Sequence, residues 1–202
     1  MPRTNEQNEL IRNERIESLK ISALYLFASK GYDATTLDEI ANDAGCSHGL
    51  IYHYFKNKQE IYRFILYDVA FPMVDNMVYG VDLNQSAKAV MVDILSVFVN
   101  SLKSSVDQYS WAINILLNID LATVEGTKAK RISKDSNKKV FNWVYTTIER
   151  GKLEGDFNKN KNTTQLVVSL LAIIKGLAYS RMRLGYKKYI SPEVDILMGM
   201  LY

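Results

Sequence analysis

Only three prolines punctuate the 202 residues, at positions 2, 72 and 192. Proline ends or kinks a helix and is kept out of central strands. The long stretches between them are free to be helical, and apolar residues recur at helical spacing nearly throughout. Alternation of period two between turn signals, the mark of strands, is missing. The expectation is an all-α chain of about nine helices.

The first helix reads from about residue 8 to Lys30, with Leu19, Ala23, Leu26 and Phe27 on one stripe and Gly31 after its end. Then the pattern shortens. In "ATTLDEIANDAG", Thr36 and Glu39 have the spacing of a capping box, and Gly45 stops the helix after two turns. Ser47 stands where a second short helix, "HGLIYHYF", needs a cap, and Asn57 in "NKQE" stands before a third. Beyond Pro72 longer helices are expected near 84–104, 107–123, 132–152, 163–184 and 192–202.

The short segments hold every cysteine and histidine of the chain. "CSHGLIYHYF" (46–55) contains the one cysteine and both histidines. Five residues turn a helix by ~500°, so His48 and His53 lie on different faces and make a poor metal pair. Cys46 sits in a tight join and suits a small buried residue better than a nucleophile. Neither a metal centre nor catalysis is expected.

Two short helices joined through "GCS" make a helix-turn-helix, whose second helix enters the DNA major groove by its N-terminal end. His48 and Gly49 would then face base edges. Tyr52, one turn on, would reach phosphate or base, and His53 and Lys58 flank it. Thr35 and Thr36 offer hydroxyls at a neighbouring helix start. Tyr54 shares a stripe with Leu50 and Ile51, so core packing and a phosphate contact are about equally expected there.

"GYDATTLDEIANDAGCSHGLIYHYFKNKQEIY" resembles the DNA-binding region of the TetR family of bacterial transcriptional regulators, over about residues 13–68. The resemblance rests on Gly-Tyr after the first helix, Ala-Thr-Thr before the second and the Ala-Gly-x-Ser turn. Leu-Ile-Tyr-x-Tyr-Phe and the Lys-x-Lys-x-Glu entry to the next helix complete it. It implies DNA contacts at Thr36, Ser47, His48, Gly49, Tyr52, His53, Tyr54 and Lys58; Thr35 and Lys56 join the candidate set. Asp38 departs from the pattern, since an acid cannot make the phosphate contact that a basic residue there would make. The expected division is a DNA-binding domain at 1–68, with the helix-turn-helix at about 36–55, and a helical ligand-binding and dimerisation domain at 69–202.

Past residue 70 the resemblance fades and pattern alone remains. Residues 163–184 are apolar almost all round, as a helix buried on two sides would be. With the last segment they suggest a two-fold homodimer through Val167, Leu171, Ile174, Ala178, Val194, Leu197, Met198 and Leu201, and hence a palindromic operator in double-stranded DNA. The middle helices are rich in aromatics. Phe98, Trp111, Asn114, Ile115, Asn118, Trp143 and Tyr145 are candidates for a small-molecule effector pocket, with plain core packing as the alternative. The basic run 128–139 reads as a solvated helix start.

The totals agree with a regulator rather than an enzyme. One cysteine excludes an internal disulfide framework. Through Ile65 there are eight Lys/Arg against nine Asp/Glu, so DNA would be met by a local basic patch. The apolar run 166–174 is too short to span a bilayer, and the polar N-terminus lacks the core of a signal peptide. A soluble cytoplasmic protein without cofactor, working as a repressor released by its effector, is the resulting expectation; control by a protein partner is the alternative.

Overall fold

The computed structural model describes residues 5–80, 82, 84–117 and 127–202, with side chains at all of these except 5, 8, 74, 77–79, 117 and 127–137. Its elements are α1 (Asn5–Lys30), α2 (Leu37–Asp43), α3 (His48–Tyr54), α4 (Lys58–Phe64), a π-helical turn (Ile65–Ala70), α5 (Phe71–Tyr79), α6 (Ala87–Leu102), α7 (Gln108–Leu117), α8 (Thr127–Glu154), α9 (Thr163–Leu184) and α10 (Val194–Met198). Among the described residues there is no strand. The segments from α4 through α5 run on as one rod, which leaves nine helical rods among the described residues.

Pro72 causes no break in that rod. It sits in the first turn of α5, and the Phe71 N–H reaches back five residues to the Leu66 carbonyl. The wider π turn shifts the bonding register just before a residue that has no N–H to give.

Three buried clusters organise the described residues. In the first, Leu19, Ala23 and Phe27 of α1 meet Ile40 and Ala41 of α2, Ile51 of α3, and Ile61 and Ile65 of the α4 rod. Each of the leucine, isoleucine and phenylalanine side chains among them contributes about 1.5–3 kcal/mol by leaving water. This core does not end at residue 68: Phe71 and, from α7, Ile115 belong to it. The second runs along Ala87, Met91, Leu95 and Val99 of α6, one face at four-residue spacing, against Val144 and Ile148 of α8, Val167 and Leu170 of α9, and Leu197, Met198 and Leu201. The third is small, with Phe98, Leu102, Ile113 and Ala178. Helix α7 packs on α1 on one side and α9 on the other, so it joins the two halves.

Two expectations need correcting. The last helix was expected over 192–202, but only Val194–Met198 is helical, and the chain then turns so that Leu201 enters the second core. The apolar run 166–174 belongs to a helix of 22 residues that holds an 18-residue window of mean hydropathy 1.3, long and apolar enough by length and composition to cross a membrane. Leu166, Val167, Leu170 and Ala178 of that helix are instead buried against the chain's own helices. The side chains of 128–137 lie outside the described residues; Lys138 and Lys139 are exposed.

Candidate nucleic-acid interface

The α2–turn–α3 unit is built by local rules. Thr36 caps α2: its hydroxyl accepts from the Glu39 N–H at 3.1 Å, while Glu39 Oε2 accepts from the Thr36 N–H at 2.9 Å. Lys30 adds an ion pair to Glu39 at 2.9 Å. Those hydrogen bonds, the one from Lys30 first, hold the Glu39 carboxyl below its usual range. Gly45 takes φ +64°, a conformation open to glycine, and turns the chain so that the Cys46 N–H bonds the Ala41 carbonyl at 2.8 Å. Cys46 is buried in that join. Asn57 caps α4 by accepting from the Glu60 N–H at 2.9 Å.

Helix α3 is thereby anchored by one face. Ile51 is fully buried, and Leu50 and Tyr54 pack against the same core. The opposite face looks outward: His48, Gly49, Tyr52 and His53 are exposed, Tyr52 at 53%. A β-carbon built at Gly49 would meet nothing within 4 Å, so no packing inside the chain requires glycine there. Lys56, just beyond α3, is also exposed. His48 Nδ1 lies 3.0 Å from Asp38 Oδ1. Among the described residues no group of three His, Cys, Asp or Glu could hold a metal ion.

Several candidate DNA contacts stand differently from their expected places. Thr35 is completely buried, its hydroxyl donating to the Gly31 and Leu26 carbonyls at 2.7 and 3.3 Å. It ties the loop to α1 and has no hydroxyl to offer DNA. Ser47 occupies the cap position of α3 but makes no side-chain cap bond. Tyr54 is half-buried in the core stripe, with its ring 5.4 Å from that of His53. Lys58 donates to the carbonyls of Tyr32 and Asp33 at 2.9 and 3.2 Å and lies 4.4 Å from the Tyr32 ring centre. It clamps α4 onto the loop after α1.

The candidate pocket residues do not come together. Ile115 lies in the first core, and Trp111 packs against it with its ring 5.2 Å from Tyr25. Trp143 packs on the second core and Phe98 fills the third. Tyr145 is exposed and stacks on Phe141. Asn114 is buried and donates to the Ser110 carbonyl at 2.8 Å. Asn118 lies outside the described residues. Helical periodicity placed Trp111, Asn114 and Ile115 on one face, but α7 spends that face on joining the halves. A cleft of 290 Å³ between α1 and the α4–α5 rod, lined by Glu17, Lys20, Ile21, Asp68, Met73 and Asn76 among others, contains none of the seven.

A polar group beside the third core was missed. Asp107 caps α7 through the Ser110 N–H at 2.9 Å and is buried, as is Ser110. Asp107 Oδ2, Ser110 Oγ and the Tyr189 hydroxyl are buried without a hydrogen-bond partner among the described residues. Burial, and then the charge of Asp107, raise the Tyr189 phenol above its usual range. Arg181 of α9 is buried too, bonding the Leu102 and Ser104 carbonyls at 2.9 and 2.6 Å. The sequence hints at only part of it, through Ser110 and Arg181, polar residues inside helices rich in apolar ones.

The dimer candidates need a correction of the same kind. Val167, Ala178, Leu197, Met198 and Leu201 are buried inside the chain itself, and α10 lies along α6. They have no surface left for a partner. Leu171, Ile174 and Val194 are half-buried against the chain's own cores. The large apolar side chains that α9 and α10 leave exposed are others: Val168, Tyr179, Leu184 and Ile196.

Residues 22–64 match the family model described as "Bacterial regulatory proteins, tetR family". The chain is 42% identical over 74 residues to the HTH-type transcriptional activator FasR of Mycolicibacterium smegmatis, covering 37% of this chain and 32% of that one. It is 45% identical over 42 residues to the biofilm operon icaADBC HTH-type negative transcriptional regulator IcaR of Staphylococcus epidermidis, covering 21% and 23%. The match thus spans a third or less of these relatives' own length. The crystal structure of AibR in complex with isovaleryl coenzyme A and operator DNA has the same fold, with a TM-score of 0.64 at 18% identity over 93% of this chain and 97% of that one.

Proposed function

We propose that this chain, which belongs to the TetR family of bacterial regulatory proteins, is a DNA-binding transcriptional repressor. It works in the cytoplasm as a homodimer on a palindromic operator and is released by a small molecule. The family is one of regulators and not of enzymes. The observation that carries the reading is the outward face of α3. Ile51 fixes the helix from behind, while His48, Gly49, Tyr52 and His53 face away from the protein at the end of a rigid turn. Such a face has base-reading groups at its N-terminal end and phosphate-reaching groups beside them. Lys56 supplies exposed positive charge at its edge.

A dimer places two such helices about 34–36 Å apart, one turn of DNA. Its interface is assigned to the free side of α9, with Val168, Ala172 and Tyr179 at helical spacing, and to Ile196 of α10. The effector is assigned to the third core, where Phe98, Leu102 and Ile113 give an apolar wall. Asp107, Ser110 and Tyr189 give buried oxygens with hydrogen-bonding capacity to spare. Its polar end would carry hydrogen-bond donors for the Asp107 carboxylate. FasR is an activator and IcaR a negative regulator; repression is the reading taken here, by a dimer that occupies promoter DNA until α7 moves.

Selection from randomised DNA duplexes tests the reading. The protein should recover a two-fold motif, and His48→Ala should relax one position in each half-site. Recovery of no motif at low salt sinks it. Recovery of a motif whose binding no small molecule in a broad panel weakens would leave the DNA reading standing and remove the effector.

A further inference from the structure

Asp38 is out of place on a surface that meets DNA, because a carboxylate there faces phosphate with the wrong sign. The fold gives it another task. Asp38 comes from the first turn of α2 and His48 is the first residue of α3, yet Oδ1 of one lies 3.0 Å from Nδ1 of the other. Both side chains are more than half exposed, at 51% and 58%. The neighbouring acid cannot take over, since the Glu39 carboxylate is already engaged by Lys30 and the Thr36 N–H.

A carboxylate only accepts hydrogen bonds, so this contact requires the proton on Nδ1. A neutral imidazole carries one ring proton, and its other nitrogen is then an acceptor. Nε2, the ring atom opposite the contact, is left to read. We propose that Asp38 fixes the tautomer of His48 and thereby chooses the base it recognises, one whose own exocyclic amino group faces the major groove. Adenine N6 and cytosine N4 are donors of that kind, whereas guanine O6 and N7 are acceptors that an unprotonated Nε2 repels. Asp38 is a positioning residue in this account. It also restrains the ring before DNA arrives, which lowers the ordering cost of binding. The base assignment rests on α3 being the recognition helix; the tautomer does not.

The tautomer is read directly from long-range proton–nitrogen NMR spectra of the free, 15N-labelled protein at pH 8.5, where imidazoles are neutral. The chain has two histidines, so His48→Ala assigns the signals. Wild type should show His48 protonated at Nδ1. Asp38→Asn, whose amide both donates and accepts, should give a mixture of the two forms. In parallel, base preference is measured by selection from randomised duplexes at the same pH. At the position that His48→Ala relaxes, wild type should favour the amino-bearing base over guanine by roughly fivefold, the worth of one hydrogen bond. Asp38→Asn should bring that ratio close to one. A wild-type His48 protonated at Nε2, or an Asp38→Asn protein with unchanged tautomer and unchanged preference, overturns the proposal. Nδ1 protonation with no specific DNA binding overturns the recognition reading and the base assignment together. Specific binding with Nε2 protonated overturns this inference alone.

Discussion

Gly49 has no work inside the protein. Its φ is not in the left-handed region and a β-carbon there would touch nothing. Alanine is favoured over glycine in a helix by up to about 1 kcal/mol, so Gly49→Ala should hold or raise the thermal midpoint. If the backbone at this point closes on DNA, the same substitution should weaken operator binding by tenfold or more in a gel shift. Unchanged affinity would show that nothing approaches there. Glu39 gives a second test at this scale. Its carboxyl is held below the usual 4.5, first by the hydrogen bond from Lys30, then by the Thr36 N–H. The stabilisation is therefore complete above about pH 4.5 and is lost as pH falls through the lowered folded value. Glu39→Gln should flatten that part of an acid-denaturation curve, followed by circular dichroism, and an identical curve would contradict it.

At the scale of elements, what depended on neighbours in sequence was legible. The capping box of Thr36 and Glu39, the Asn57 cap and the glycines at 31 and 45 are interactions across three or four residues, and they stand in the structure as their spacing requires. Ser47 looks equally suited and makes no cap bond, because a cap preference does not fix a rotamer. Choices of distant partner were not legible. Periodicity marks α9 as apolar all round but does not say that α6, α8 and α10 take one side of it. Thr35 shows the same limit: a hydroxyl beside a helix start reads as a DNA contact until α1 is seen to cover it. Lys58 carries a prediction here. It is bonded to two carbonyls of the loop after α1 and packs on Tyr32. Lys58→Ala should cost about 1–2 kcal/mol in denaturant unfolding as well as weakening binding to every DNA sequence. A loss of DNA affinity with no loss of stability would make it a phosphate contact and nothing more.

For the whole molecule, the key question is which apolar surface belongs to the core and which to a second copy. Leu197 and Val168 are both apolar residues near the C-terminal end of the fold, yet one is buried and the other 55% exposed. Leu197→Glu should fail to fold, since a charge would enter the second core. Val168→Glu should fold with a helical spectrum and sediment as a monomer, and it should lose operator binding because a single recognition helix makes half the contacts. A Val168→Glu protein that remains a dimer moves the interface elsewhere. Helix α7 touches both α1 and α9, and its entry loop is held by buried Arg181. On the proposed reading, a ligand at the third core would act on the DNA-binding half through this helix and α1.

The most direct measurement of the central claim is a quantitative gel shift of the purified protein on DNA from upstream of its own coding region, across 50–200 mM salt and against excess unrelated duplex. The account predicts a specific complex of one dimer per site, whose affinity falls steeply with salt and which His48→Ala weakens far more on the specific site than on unrelated DNA. Binding that is equal on both DNAs, or that is lost equally on both when His48 is replaced, would contradict it.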